Sequence, residues 1–551
     1  EGYRTDIPKL MGRHVAGASF LKGLFRHAES SHFTCLVTDH HAAEAFAETL
    51  KTQKPNATSD LLTATGLAKL GQTGGLFFPG PDIATQSLHR LSVCNNHHEW
   101  ALCGITHTTS SAAAMDCLTE LITSAVQPWD ALICTSTAVK KNVEVVLQAQ
   151  VDALRDRLGI TRLVLPQLPV IPLGVHSEDF VYSDEQRAAA RHRLGASEDA
   201  IVVLYVGRLS FHAKAHPLAM YQALENAARA TQKDVVLVEC GWHANDYIEE
   251  SFGDAAKLAS PSLKQVSLDG RDAENRTIAW AGADVVCSLS DNIQETFGIV
   301  PIEAMAAGLP VVVTDWDGYK DTIRDGVDGF RIPTIAPKPG LAGDLARRHA
   351  LGIDTYDFYC GHSSALVAVH SQKLTQAFIE LFQSPELRKK MGDAGSLRAR
   401  QNYDWRVIIP RYEELWKEQT KMRLAAKAAV LQETGKSSAA LIWPGRLDPT
   451  VGFASYPTYH LDLSTQLTLT ADSANDALSR LAQYKTLSMV NFAAYVFPTD
   501  DEVKSVFKIA EASLPGSTSA ENLLGNVEPA RRPYLLRSLA WLCKLGLLQF
   551  R

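Results

Sequence analysis

Twice along this chain, short β-branched or apolar runs alternate with helical text, and that alternation restricts the fold more than any other feature. The first series runs from Ser31 to about Val175. Its strand-like runs are FTCLVTD (33–39), GLFFPG (75–80), WALCGIT (100–106), DALICTS (130–136) and LPVIPLGV (168–175). The second follows SDEQRAAARHRLG (183–195), which reads as a helical linker. Its runs are AIVVLYVG, DVVLVECG, KQVSLDG, ADVVCSLS and PVVVTD, all between 200 and 315. Wholly apolar strands separated by helices build parallel sheets covered on both faces. Two series therefore predict two doubly wound, Rossmann-like α/β domains.

Other segments frame these two. EGYRTDIPKLMGRHVAGASFLKGLFRHA, the opening, reads as a loop with Gly12 and Gly17 followed by a basic helix, with no strand before it; the first strand is expected upstream. From 372 to 415 the text is helical, and a long charged helix runs from about Tyr412 to Leu431. ETGKSSAALIWPGRLDPT (433–450) is a Gly/Ser/Pro-rich boundary. Beyond it a mostly helical, winged-helix-like module is expected, with a capping box at Thr499 and Glu502 and a last helix stopped by Gly546. The expected organisation is 1–176, 177–400, helices crossing back over 401–432, and an accessory domain over 433–551.

Composition excludes several classes. Among 551 residues, 54 Lys+Arg against 61 Asp+Glu leave a net charge of −7, which argues against a nucleic-acid-coating protein. With 46% apolar and 21% charged residues, wholesale disorder is out. Nine cysteines without a C-x-x-C pair read as reduced, mostly buried thiols of a cytoplasmic protein, not as disulfides or a zinc site. No apolar run approaches the ~18 residues that span a bilayer. His40–His41 and His97–His98 lack partners at metal spacing, so no metal is expected. Phe20, Leu21, Leu24 and Phe25, interleaved with Lys22 and Arg26, read either as a core helix or as a face docking on an anionic membrane.

Chemistry concentrates in ADVVCSLSDNIQETFGIVPIEAMAAGLPVVVTDWDGYKDTIRDGVDGF (283–330). A strand ends near Ser288, a loop carries Glu295, and a helix begins near Gly298 with Glu303 on its first turns. Thr296, Phe297 and Gly298 would leave backbone N–H groups free at a helix start, where an anion is held by donors and dipole. This stretch resembles the "group 1" family of retaining, nucleotide-sugar-dependent glycosyltransferases of GT-B fold, whose Glu-x7-Glu signature it repeats as E-T-F-G-I-V-P-I-E-A-M-A-A-G-L-P-V-V. The resemblance extends from about Gly12 to Tyr412.

The resemblance implies roles. Glu303 would hold the donor's ribose hydroxyls, and Glu295 the transferred sugar. The N–H groups of Thr296, Phe297 and Gly298 would meet sugar and diphosphate oxygens. Arg208 and Lys214, in VGRLSFHAKAH after Gly207, would stabilise the departing diphosphate without a metal. His107, past the strand in CGITHTTSS, would reach the donor across the cleft. Gly241, in ECGWHANDY, and Arg271 would lie near the nucleotide, and the Gly12/Gly17 loop would line the acceptor side. Lys214 stands six positions after Arg208 where the family has five, and His176 in VIPLGVHSEDF stands where Asp is usual. The implied partners are a UDP- or GDP-type nucleotide sugar and a glycan, lipid-linked or protein acceptor, as in polysaccharide biosynthesis, with no further cofactor. The last module reads as a packing or dimer surface. A GT-B epimerase or phosphorylase and a non-catalytic sugar-binding scaffold are the alternatives.

Overall fold

The computed structural model describes residues 3, 12–434, 443–525 and 527–551, so part of the 433–450 boundary lies outside the described residues. Residues up to Trp443 form one compact unit and Pro444–Arg551 another.

The first lobe holds strands β1 (His32–Leu36), β2 (Thr58–Leu62), β3 (Gly75–Phe77), β4 (Ala101–Ile105) and β5 (Ala131–Ile133). All pair in parallel, but in two pieces, β1–β2 and β3–β4–β5. LPVIPLGV adds bridges at Val170 and Val175 and no strand. Pro169 and Pro172 lack the N–H a ladder needs.

Gly12 and Gly17 lie inside the helix Gly12–His27, not on a loop. A helical glycine costs about 1 kcal/mol. Burial of Phe20, Leu21 and Phe25, each worth about 1.5–3 kcal/mol, outweighs that cost. The same burial favours the core-helix reading of this segment. Phe20, Leu21 and Phe25 lie in the core while Val15 is exposed, and Lys22 pairs with Asp179 at 3.2 Å and Arg26 with Glu178 at 3.0 Å.

The second lobe is one six-stranded parallel sheet: β6 (Ile201–Leu209), β7 (Val235–His243), β8 (Lys264–Asp269), β9 (Val285–Ser288), β10 (Val311–Thr314) and β11 (Gly329–Ile332). Its order is β11-β10-β9-β6-β7-β8, so the winding reverses between β6 and β9. That is the Rossmann order. The helix Asp184–Leu194 is no linker: Ala190 and Leu194 are buried, and a Cβ on Gly282 would stand 2.6 Å from Leu194 Cδ1.

A short antiparallel pair, β12 (Thr334–Ile335) and β13 (Ala368–Val369), brackets an insertion with helices Gly343–Ala350 and Tyr356–Ser364. The long charged helix begins earlier than its sequence suggested, at Trp405, and runs to Thr434. It returns to the first lobe, where Gln419 Nε2 donates to Leu102 O at 2.7 Å and Arg423 Nη1 to His98 O at 2.6 Å. Two lobes joined by a returning helix make the GT-B arrangement.

The second unit is mostly helical, as expected, and adds a small antiparallel sheet. β14 (Gln466–Leu469) pairs antiparallel with β15 (Thr518–Ser519) and β16 (Leu548–Phe550). Helices Ala474–Tyr484, Asp500–Glu511 and Arg532–Lys544 enclose a core with Leu467, Leu481, Phe507 and Leu539. Its strands are too short to show a period in the text. The Thr499–Glu502 capping box is present, and Gly546 takes the left-handed conformation (φ +69°) that ends the last helix.

Candidate active site

In open α/β sheets, ligands bind beyond the strand ends where the winding reverses. Here the loops leaving β6 and β9 occupy that point, and hydrogen bonds knit them together. Asn292 Nδ2 donates to His212 O at 2.6 Å, Ser290 Oγ to Lys214 O at 3.4 Å, and Arg208 Nη2 to Gln294 Oε1 at 3.1 Å. Gly207 ends this run of β6 with φ +141°, and a Cβ on Gly241 in β7 would collide with the Gly207 carbonyl. Glycine at 241 therefore lets the two strands approach closely.

Glu295 sits at the N-terminus of the helix Ile299–Ala306. Its Oε1 accepts from the N–H groups of Thr296 (3.2 Å) and Gly298 (3.0 Å), and its Oε2 faces Lys214 Nζ at 3.5 Å. Burial pushes this carboxyl up. The Lys214 charge and the backbone donors outweigh that and hold it below the ordinary carboxylate value. The N–H groups of Thr296 and Gly298, expected to be free for a ligand, are thus taken by Glu295 itself, because a carboxylate one residue upstream reaches them first. Gly298 has φ +75°, and a Cβ there would overlap the Tyr319 ring.

Glu303 lies on the same helix, half-buried, with no hydrogen bond or ion pair among the described residues. Burial pushes its carboxyl up to about 7 against the opposing charge of Arg276. Arg271 is exposed and turned to Asp269 at 2.7 Å, so the described contacts tie it to its own loop. Beneath the loops Asp291 is buried, with its carboxyl raised to about 7 by desolvation; Oδ2 accepts from His216 N at 3.4 Å and Oδ1 has no partner. Of the candidate metal histidines, His98 stacks on Trp129 and His40 faces Glu44. Among the described residues no group of three or more His, Cys, Asp or Glu is arranged to hold a metal.

The two lobes meet at this site. Thr296 Oγ1 donates to the carbonyl of His107 at 3.1 Å, which puts His107 beside the Glu295 loop. Ser136 Oγ reaches Thr296 O at 2.8 Å, and Thr137 N donates to Asp321 Oδ2 at 2.6 Å. On the insertion, Tyr356 OH lies 2.9 Å from Ser110 Oγ. Sequence reasoning missed Ser136, Asp317, Asp321 and Tyr356. Only D-W-D-G after PVVVT, two acids beside a glycine at a strand end, gave a local signal. Lys214, Arg208 and His107 meet the Glu295 loop, Glu303 lies further along the helix that follows it, and Gly12 and Gly17 are not on a loop.

Residues 186–338 match the family described as Glycosyl transferases group 1. This segment is a group 1 glycosyltransferase domain. It contains Arg208, Lys214, Glu295, Glu303, Asp317 and Asp321, and Tyr356 lies beyond it. A D-inositol 3-phosphate glycosyltransferase of Geodermatophilus obscurus is 34% identical over 198 residues, covering 33% of this chain and 41% of that protein. A phosphatidyl-myo-inositol mannosyltransferase of Mycobacterium leprae is 31% identical over 183 residues, 32% of this chain and 39% of that protein. The match thus spans about two fifths of the length of these curated relatives. A solved structure titled Anabaena Alr3699/HepE in complex with UDP superposes at a TM-score of 0.48 and 17% identity, over 74% of this chain and 96% of that one. Among the described residues no helix is long and apolar enough to cross a membrane.

Proposed function

We propose that this chain is a retaining glycosyltransferase that moves a sugar from a nucleotide-sugar donor to a hydroxyl acceptor. The observation that carries the reading is the Glu295 carboxylate at a helix N-terminus, with Lys214 against it, Arg208 alongside and His107 of the other lobe within reach of the same loop. Breaking a sugar–nucleotide bond builds negative charge on a diphosphate. Guanidinium, ammonium and helix N–H groups can stabilise that charge, which makes a metal-independent reaction the simplest reading. Donor arrival would move the N–H groups of Thr296 and Gly298 from Glu295 to phosphate or sugar oxygens, leaving the carboxylate to grip sugar hydroxyls. Glu303, half-buried with unused acceptor oxygens, suits two vicinal ribose hydroxyls.

With Glu295 committed to that grip, no carboxylate is assigned as a covalent nucleophile, and front-face transfer follows, the leaving phosphate taking the acceptor proton. Lobe contacts at Thr296–His107 and Tyr356–Ser110 would exclude water and limit donor hydrolysis. Relatives named for inositol phosphates make an inositol-type polyol the first acceptor to try. A thermal-shift panel of UDP, GDP and ADP with their sugars, followed by donor turnover with and without the polyol, tests the reading. Selective stabilisation by one nucleotide sugar and its acceptor-dependent consumption are expected. No stabilisation by any nucleotide sugar would sink it.

A further inference from the structure

Asp317 lies on the turn after β10 with a left-handed backbone, φ +40°, which side chains other than glycine rarely adopt. That turn is pressed onto the Glu295 loop. A Cβ on Gly318 would stand 2.6 Å from Phe297 Cα, and Trp316 Nε1 donates to Asn292 O at 3.0 Å. From the first lobe, Ser136 Oγ stands 2.8 Å from Thr296 O, 3.1 Å from Val139 N and 3.2 Å from Asp317 Oδ1.

A hydroxyl has one hydrogen and two acceptor sites. The Thr296 carbonyl is the nearer acceptor, at 2.8 Å against 3.2 Å for Asp317 Oδ1, and takes the hydrogen. The Val139 N–H can only donate, so it fills one acceptor site. The contact with Asp317 is then satisfied when Asp317 carries a proton and donates to the other site. A carboxylate there would set oxygen against oxygen with no hydrogen between them.

The surroundings agree. Asp317 faces Glu295 on the neighbouring loop, Asp321 and the Tyr319 ring on its own side, and Ser136 with the Thr137 N–H from the first lobe. Lys214 is turned to Glu295, and no cation is among the groups that act on Asp317 most. Burial first and the Glu295 charge next, with Asp321 adding to them, push the Asp317 carboxyl up to about 8.

We propose that Asp317 is a positioning residue for Glu295: carrying a proton, it ties the Glu295 loop to Ser136 and couples closure of the lobes to proton uptake. Its catalytic consequence rests on the function proposed above, whereas the seam itself does not. Parting the lobes takes away Ser136 and part of the burial while Glu295 and Asp321 stay, so the carboxyl drops from about 8 toward its ordinary value. Closure therefore weakens as pH rises toward about 8, by at most about tenfold per unit, and is level above it.

Hydrogen exchange by mass spectrometry on the full chain tests this, read on peptides covering 134–140 and 294–300 and corrected for intrinsic exchange. In the wild type, opening should increase at least about tenfold from pH ~6 to ~8. Asp317→Asn, whose amide donates to Ser136 at every pH, should change less than about twofold. Should Asp317→Asn not fold, Asp317→Gly, which suits the left-handed backbone, replaces it, with faster opening and the same lost slope. A flat wild-type profile, or an unchanged slope in the variant, overturns the proposal. A pH-dependent seam without sugar transfer would defeat the proposed function and leave this inference standing; transfer with a pH-independent seam would do the reverse.

Discussion

Replacing Glu295 by glutamine preserves shape and removes charge. In the native loop one oxygen accepts two backbone N–H groups at 3.2 and 3.0 Å while the other faces Lys214 at 3.5 Å. The glutamine oxygen can keep both N–H groups, but its amide nitrogen must then face the ammonium, donor to donor. Charge-assisted bonds exceed neutral ones by about 1 kcal/mol each, so folding should lose about 2 kcal/mol. Lys214 is 36% exposed and can rehydrate, which adds little. A shift of that size lowers the melting temperature by at most about 8 °C and leaves the protein folded at ambient temperature. If the carboxylate orients the sugar as charge develops, turnover should fall about 10²–10³-fold, or ~3–4 kcal/mol. Initial rates of nucleotide release from the donor selected by thermal shift, beside a melting curve, separate the two effects. A variant turning over within about threefold of wild type would refute the role given to Glu295.

Gly298→Ala adds a Cβ inside the Tyr319 ring at φ +75°; left-handed strain of ~1–2 kcal/mol plus overpacking of ~1–3 kcal/mol should lower the melting temperature clearly in calorimetry, and an unchanged transition would contradict the placement of Tyr319. For Glu303, whose carboxyl lies at about 7, nucleotide-sugar affinity by titration calorimetry should fall as pH drops below that value and level off above it, because the ionised form is the double acceptor. Glu303→Gln should bind more weakly with that step gone, and a step that persists would reassign it. Arg90 and Asp130 are both fully buried and paired at 2.8 Å, so Arg90→Met strands a carboxylate and should cost about 3–5 kcal/mol in urea unfolding of the first unit; a loss under ~1 kcal/mol would count against the pair.

Some of this architecture is written locally. The runs that became β6, β7, β9 and β10 are apolar without alternation because helices cover both faces, and such text has few other solutions. Glu295 and Glu303 were legible through the family resemblance of E-T-F-G-I-V-P-I-E-A-M-A-A-G-L-P-V-V, which their eight-residue spacing alone does not carry. Where the text misled, longer-range packing overrode it. Gly12 and Gly17 look like loop residues, yet burial of Phe20 and Phe25 draws them into a helix. The helix Asp184–Leu194 reads as a charged connector, and only its place against Gly282 makes it part of the core.

Beyond the expectation that His107 reaches across the cleft, the contacts that pair the lobes were invisible in the text. Ser136 and Asp317 are 181 positions apart, and Lys214 and Glu295 are 81 apart. No periodicity encodes such a meeting, because hydrophobic patterning acts over a few residues while these contacts arise from how two folded surfaces close. Residue order alone settled the strands of the second lobe and which loop carries the acids. Whether an acid there is charged or neutral, and whether its neighbour is a lysine or a serine from the other lobe, depended on burial and proximity that exist only after both sheets have formed.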